Sequence, residues 1–385
     1  MNLPLLAFRN VRRNRLRTIL TVAGVMIALF AFGFLRTVIA AYYAGAEAAA
    51  KDRLVVRNAT SLVVDLPEAY KNKIAQIPGV NKIGIANWFG GEYKDPKNFF
   101  AKFGITDDYL DLYPEFVIKP EERAAWDADP RGCIVGAKLA DKFGWHVGDI
   151  IPIKGTIYTG DWKFTVRGIY TGRERNTDQT QFFFHWKYLM DEQPVEFQGS
   201  VGFYIIGIKD SGRAAEIAKT IDTAFKGSPK ETLTEDERAF QMEFISMATV
   251  IIGALQLVSG FVMLIVALII GNTIAMAVRE RGGEVAILKA VGFTGGRLAI
   301  LITVESMVLA LLGGLLGVGM ALPIINGFGK FLEANMGGFF PVFYLTNQTM
   351  LMMVGLSLVV GFVAALVPAI RTAQLGVVEA LRRVG

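Results

Sequence analysis

The sequence predicts an α-helical membrane protein with four transmembrane helices, plus an α+β extracytoplasmic domain inserted between helices 1 and 2. Three observations predict it. Of the 385 residues, 52% are hydrophobic and only 19% charged, whereas soluble domains run near 45–50% apolar and about 25% charged. Four apolar runs are long enough to cross a hydrocarbon layer of about 30 Å. The polar residues are concentrated between the first two runs. A mean hydropathy of +0.40 with patterned elements excludes disordered, collagen-like and coiled-coil chains. The single cysteine, Cys133, excludes an intramolecular disulfide and any multi-cysteine metal site. His146 and His185 are far apart and neither belongs to a metal-binding spacing, so both read as ordinary residues.

A basic N-terminus, residues 1–18, precedes span one and its extension, 19–50. Ile19 to Leu35 is broken only by Thr21 and continues through alanine-rich sequence. A signal-peptide core needs only about 7–15 apolar residues, so this segment reads as retained despite the cleavage-like Ala44-Gly45-Ala46. Residues 51–233 form the outer domain with its linker, and 234–278 a stalk and span two. No charge occurs in the 35 positions from Phe244 to Val278, a helix of about 52 Å if continuous. Thr234 followed three residues later by Glu237 has the capping-box pattern, so the helix is expected to start there. Span three is 298–327, the short outer loop with Gly337, Gly338 and Pro341 is 328–349, and span four is 350–370, ending around Pro368. A cytoplasmic segment, 279–297, separates spans two and three, and 371–385 closes the chain. Arg9, Arg12, Arg13, Arg15 and Arg17 flank span one, Arg279, Arg281, Lys289 and Arg297 lie between spans two and three, and Arg371, Arg382 and Arg383 follow span four. Only Lys330 lies between spans three and four. The positive-inside rule therefore puts both termini in the cytoplasm and the large domain outside.

In the outer domain, strands are expected at Leu62–Leu66, Phe100–Ile105, Ile150–Ile153, Phe164–Tyr170 and Phe203–Ile208, and helices at Pro67–Ile77, Ala137–Phe143 and Ala214–Phe225. Lys226 to Arg238 reads as a polar linker with a Gly-Ser-Pro break. Cys133 reads as a small buried hydrophobe, and Phe182-Phe183-Phe184 as core or interface.

The most informative stretch is Asn272 to Arg297, NTIAMAVRERGGEVAILKAVGFTGGR. A helix leaves the membrane, breaks at Gly282-Gly283, and a short helix follows with Ile287, Leu288 and Val291 at helical spacing, flanked by Glu280, Arg281, Glu284 and Lys289. Two readings fit the pattern: a docking helix for a cytoplasmic partner, and a charged loop resting on headgroups.

This stretch resembles the coupling region of FtsX-like, MacB-type ABC transporter permeases, whose pattern is roughly R-E-R followed by E-I-A-I-L-K-A-L-G. Asn10 to Leu29 and Pro368 to Arg382 are similar to that family's opening and closing segments, although Gly376 stands where the family commonly has proline. Pro78-Gly79-Val80, Gly104 to Leu110, Ile134 to Ala137, Gly148-Asp149 and Phe164 to Gly168 resemble its periplasmic core domain. The resemblance implies a mechanotransmission permease in the inner membrane. It implies that Glu280, Arg281, Glu284, Ile287, Leu288, Lys289 and Gly292 contact an ATPase subunit. The chain lacks GxxxxGK[ST], so no cofactor is expected in it and ATP would be bound by a separate subunit. Two ATPase copies, a second permease (an identical chain or a relative), a periplasmic adaptor and an outer-membrane channel are the implied partners, with the lipid bilayer and no nucleic acid. Export of a periplasmic or outer-leaflet substrate is the leading use. Lipoprotein or lipid extraction and FtsX-like signalling to a cell-wall hydrolase remain the alternatives.

Within the spans, Glu305 is an intramembrane charge with a structural and a functional reading. Arg36, near the far end of span one, reads as snorkelling. Gly313, Gly314, Gly317 and Gly319 read as a small-residue packing face, within the subunit or across a dimer.

Overall fold

The computed structural model describes residues 15–174, 176–246, 248–280, 282–336 and 342–374. The expectations for Arg9, Arg12, Arg13, Arg281, Gly337, Gly338, Pro341, Gly376, Arg382 and Arg383 lie outside the described residues. The chain forms two compact units, one of residues 41–248 with 329–343 and the other of the remainder.

The first unit is built on a mixed sheet. Its strands are β1 (Arg53–Asn58), β2 (Leu66–Pro67), β3 (Val80–Trp88), β4 (Gly91–Glu92), β5 (Lys102–Ile105), β6 (Phe116–Val117), β7 (Gly132–Gly136), β8 (Ile150–Gly155), β9 (Gly160–Gly172), β10 (Phe182–His185), β11 (Ser200–Val201), β12 (Phe203–Ile208) and β13 (Thr232–Asp236). The main sheet runs β13-β1-β12-β3-β5-β10-β7-β9-β8-β4, with β6 on β9 and β2/β11 forming a separate pair. The pairs β5/β10 and β7/β9 are parallel, and the others antiparallel.

Both faces of the sheet are covered, which is why its strands carry nearly continuous apolar runs. Leu54 and Val56, Phe182 and Phe184, and Cys133 and Val135 face one core. Val55, Phe183 and Ile134, the alternate residues, face the other. The aromatic triplet is therefore core on both sides. The first face is covered by α2 (Tyr70–Ala75), α5 (Ala137–Phe143), α6 (Trp186–Asp191) and α7 (Ala214–Phe225), and the second by α3 (Asp107–Leu112) and α4 (Pro120–Asp127). Burial pushes the Cys133 thiol well up, as an inert core group requires. His185 stacks on Trp126, and His146 is exposed.

The fold departs from the sequence pattern in three places. Residues 61–65 form turns rather than a strand, and β2 begins only at Leu66. The supposed linker contains β13, an edge strand paired with β1 over Leu54–Asn58. Its outward N–H at Thr234 donates to Asp222 Oδ2 (3.1 Å), and the Thr232 and Thr234 hydroxyls donate to Asp222 Oδ1 (2.9 and 2.6 Å). This carboxylate blunts an otherwise open edge. Finally, Thr234 is in the strand, so it does not cap the stalk. Asp236 does, accepting from Ala239 N (2.7 Å). Two helices follow β13 along the chain, α8 (Glu237–Ser246) and α9 (Thr249–Glu280).

Lys102 is 2% exposed on the first face, with Nζ donating to Phe100 O (3.0 Å) and lying 3.8 Å from the Phe100 ring centre. Burial lowers its pKa to about 8. A lowered folded value means the unfolded chain binds more protons between about pH 8 and the ordinary lysine value, so stability rises with pH in that window. Lys102→Met is expected to raise the melting temperature of this unit at pH 7, by an amount that shrinks at pH 9. Equal shifts at both pH values would contradict a buried ammonium.

Candidate coupling segment and membrane bundle

The second unit contains four helices of spanning length: α1 (Arg15–Ala48), α9, α11 (Gly295–Met336) and α12 (Asn347–Gln374). The third run thus extends beyond its expected end. The fourth passes through Pro368 to Gln374, and Thr372 Oγ1 donates to the Pro368 carbonyl one turn back (2.8 Å).

Three of the four glycines named from sequence sit at close helix crossings. A Cβ on Gly313 would lie 2.5 Å from Val25 Cγ1, one on Gly314 2.6 Å from Ser357 Oγ, and one on Gly317 3.2 Å from Met26 O. They bring α11 against α1 and α12 within one subunit. Gly319 meets nothing within 4 Å. Polar side chains turn inward: the Thr21 and Thr273 hydroxyls are 3.1 Å apart, and Ser306 Oγ donates to Gly361 O (2.6 Å). Glu305, beside Ser306, is 8% exposed, so this charge lies within the bundle.

The expected coupling stretch contains a short helix, α10 (Gly282–Ala290), after α9 ends at Glu280. The glycine pair opens α10. Its C-terminus is a Schellman cap: Phe293 N donates to Leu288 O (2.9 Å) and Gly292 N to Lys289 O (3.0 Å), with Gly292 at φ +100°. Lys289 Nζ donates to Ala373 O (3.0 Å) in the last turn of α12, where a cation meets the carbonyl end of the helix dipole. Gly295 packs on the same carbonyl, since a Cβ there would lie 2.5 Å from it. Glu280 pairs with Arg17 of α1. The segment is thus held at both ends by other membrane helices.

Of the expected contact residues, Glu284 and Ile287 lie on one outward stripe, with Ile287 61% exposed. Leu288 belongs to the same helix, Lys289 and Glu280 face the bundle helices that hold them, and Gly292 shapes the turn. Val291, outside the expected set, continues the stripe at 77% exposure. Its place four residues after Ile287 and seven after Glu284 was the available signal.

A second cluster was not legible in the sequence. Arg53 and Arg57 on β1 are 4% and 6% exposed. Arg53 holds Glu115 bidentately (2.6 and 3.1 Å) and Glu237 of α8 (2.7 Å), and lies 4.1 Å from the Tyr113 ring centre. Ala50 N donates to the same Glu237 carboxylate (3.1 Å). Arg57 binds Glu235 (2.9 Å) and Glu243 of α8 (2.7 Å). Burial would lower the Arg53 pKa, but Glu115 and Glu237 outweigh it and hold the guanidinium charged. The cluster binds together the segments by which the chain enters and leaves the α+β unit. Among the described residues, no group of His, Cys, Asp and Glu could hold a metal ion.

A model of the MacB-like periplasmic core domain matches residues 18–224, more than half of the chain, and a model of the FtsX-like permease C-terminal part matches residues 257–377. The chain is an ABC transporter permease of the FtsX-like, MacB-type family. An uncharacterized ABC transporter permease of Methanocaldococcus jannaschii is 24% identical over 98% of this chain and 96% of its own length. The lipoprotein-releasing system transmembrane protein LolC of Haemophilus influenzae is 25% identical, covering 66% of this chain and 65% of LolC. A macrolide export ATP-binding/permease protein MacB of Psychrobacter arcticus is 33% identical over 31% of this chain, but only 18% of that protein is matched. Among solved structures, the periplasmic region of MacB from Actinobacillus actinomycetemcomitans matches 51% of this permease and 94% of that chain, with TM-score 0.38 and 10% identity.

Proposed function

We propose that this permease couples ATP hydrolysis by a separate ATPase subunit to motion of its α+β domain, and that the motion drives export of a periplasmic or outer-leaflet substrate. The observation that carries the reading is the construction of α10. It is anchored to α12 through Lys289 and to α1 through Glu280, while Glu284, Ile287 and Val291 form an outward stripe. A helix so held passes a push on its outer face to the spans instead of swinging freely. Two ATPase subunits would dock on this stripe in a complex containing two permeases, with both termini cytoplasmic, the α+β domain outside, and an adaptor and outer-membrane channel completing the export path. Similarity to LolC over 66% of the chain favours one second reading, extraction of lipoproteins or lipids from the outer leaflet, by the same motion.

The stripe is tested by Glu284→Lys with Ile287→Asp. The double variant is expected to fold and insert normally, to lose co-purification of the ATPase, and to lose permease-stimulated ATP hydrolysis at least tenfold. Retention of both would remove α10 as the docking element.

A further inference from the structure

Arg36 is an anomaly within the bundle. Among the described residues, its Nε is buried without a hydrogen-bond partner and its Nη2 donates to the Met352 thioether, at 3.8 Å, a weak acceptor, while the residue as a whole is half-buried. Other arginines in the structure are matched with carboxylates, including Arg17, Arg53, Arg57, Arg123, Arg167 and Arg213. A guanidinium held within a spanning bundle without an anion is costly. Of the two helices whose side chains meet at this contact, α12 contains no Asp or Glu, and α1 contains only Glu47, about three turns further on.

The level of Arg36 in the bundle indicates the source of the missing anion. On α1, Arg36 stands nineteen residues beyond Arg17, and on the antiparallel α12, Met352 stands nineteen residues before Arg371. Both rulers give about 28 Å at 1.5 Å per residue, close to the hydrocarbon thickness of about 30 Å. Arg17 and Arg371 flank their apolar runs at one interface, so Arg36 lies at the level of the opposite one. There the acceptors are lipid phosphates, whose oxygens suit the planar fork of a guanidinium.

We propose that Arg36, with Met352 beside it, forms a phosphate-binding site that holds the phosphodiester of a phospholipid headgroup at this interface. The thioether provides apolar surface beside the guanidinium while the guanidinium takes the phosphate. The site is independent of the coupling mechanism above. It would be occupied with or without an ATPase.

The test uses the full chain, delipidated in a neutral glycoside detergent. Thermal stability is followed on adding phosphatidylglycerol micelles, the uncharged lipid diacylglycerol, or inorganic phosphate, and bound lipid is counted by native mass spectrometry. The phospholipid is expected to stabilise the wild type and to remain bound as at least one molecule through gentle activation. Diacylglycerol is expected to do neither. Arg36→Met should reduce the retained lipid at least fivefold, and Arg36→Lys should keep part of it, since an ammonium still pairs with phosphate. Stabilisation by inorganic phosphate that is lost in Arg36→Met would support the same anion chemistry and identify a free phosphate as its source. Equal lipid retention by wild type and Arg36→Met, or equal stabilisation by diacylglycerol, would overturn the proposal. Because Arg36→Met removes an unpaired charge, it is expected to fold. Arg36→Gln provides a second neutral variant with the same predicted loss.

Discussion

Replacing Arg53 with methionine is expected to lower the melting temperature of the α+β unit by about 10 °C. The guanidinium bridges Glu115 and Glu237, and removing it leaves two carboxylates facing each other at a buried site. Breaking a buried pair by deleting one partner costs about 3–5 kcal/mol, and in a unit of this size each kcal/mol is worth about 2–4 °C. Reversing the loss distinguishes pairing from packing: Arg53→Met combined with Glu237→Gln should recover part of the stability, because the neutral amide no longer needs a cation. The measurement is differential scanning fluorimetry of the four proteins of this cycle in detergent. A shift of less than about 2 °C for Arg53→Met would show that the cluster does not hold the root of the domain. In the proposed mechanism the same variant should also weaken the relay, since Ala50, Arg53 and Glu237 join the strand that enters the domain to the helix that leaves it.

Gly314→Leu is expected to disrupt the bundle, and Gly319→Leu, five residues along the same helix, to be nearly silent. The Cβ of any residue at 314 meets Ser357 Oγ at 2.6 Å and Ser357 Cβ at 2.8 Å, whereas at 319 it meets nothing within 4 Å. Membrane helices associate through close packing with no hydrophobic drive between them, so separating α11 from α12 forfeits the contacts that hold them. Overpacking a tight site costs about 1–3 kcal/mol or more. The yield of monodisperse protein on size exclusion, with its melting temperature, reads the difference. Comparable behaviour of the two variants would contradict the crossing.

The two halves of the molecule differ in how far they can be read from sequence. The four spans are legible because each carries a window of uncharged apolar residues that only a membrane explains, and Gly313, Gly314 and Gly317 are legible because small residues at helical spacing have few other uses in lipid. What the one-dimensional pattern does not separate is Gly319 from its neighbours, since that depends on which face α11 presents. The strand β1 is hidden because Arg53 and Arg57 interrupt its apolar run, and arginines look solvated until their carboxylates, far away in sequence at 115, 235, 237 and 243, are brought beside them. The strand β13 is hidden by its polar composition: its threonines are satisfied by Asp222 rather than by water. Pro368 suggests a stop, yet the helix continues through it to Gln374. In the expected coupling stretch the glycine pair and apolar spacing mark a short helix, while the anchoring of Lys289 to Ala373 depends on the position of another helix.

The proposed function requires an ATPase carried by another chain. The most direct measurement is mass spectrometry of the proteins recovered, after mild cross-linking in the native membrane, with the full-length tagged permease. An ABC ATPase is expected among them, with cross-links that map to Glu280–Gly292 and disappear in the Glu284→Lys, Ile287→Asp variant. Recovery of the intact permease without any ATPase would contradict the claim.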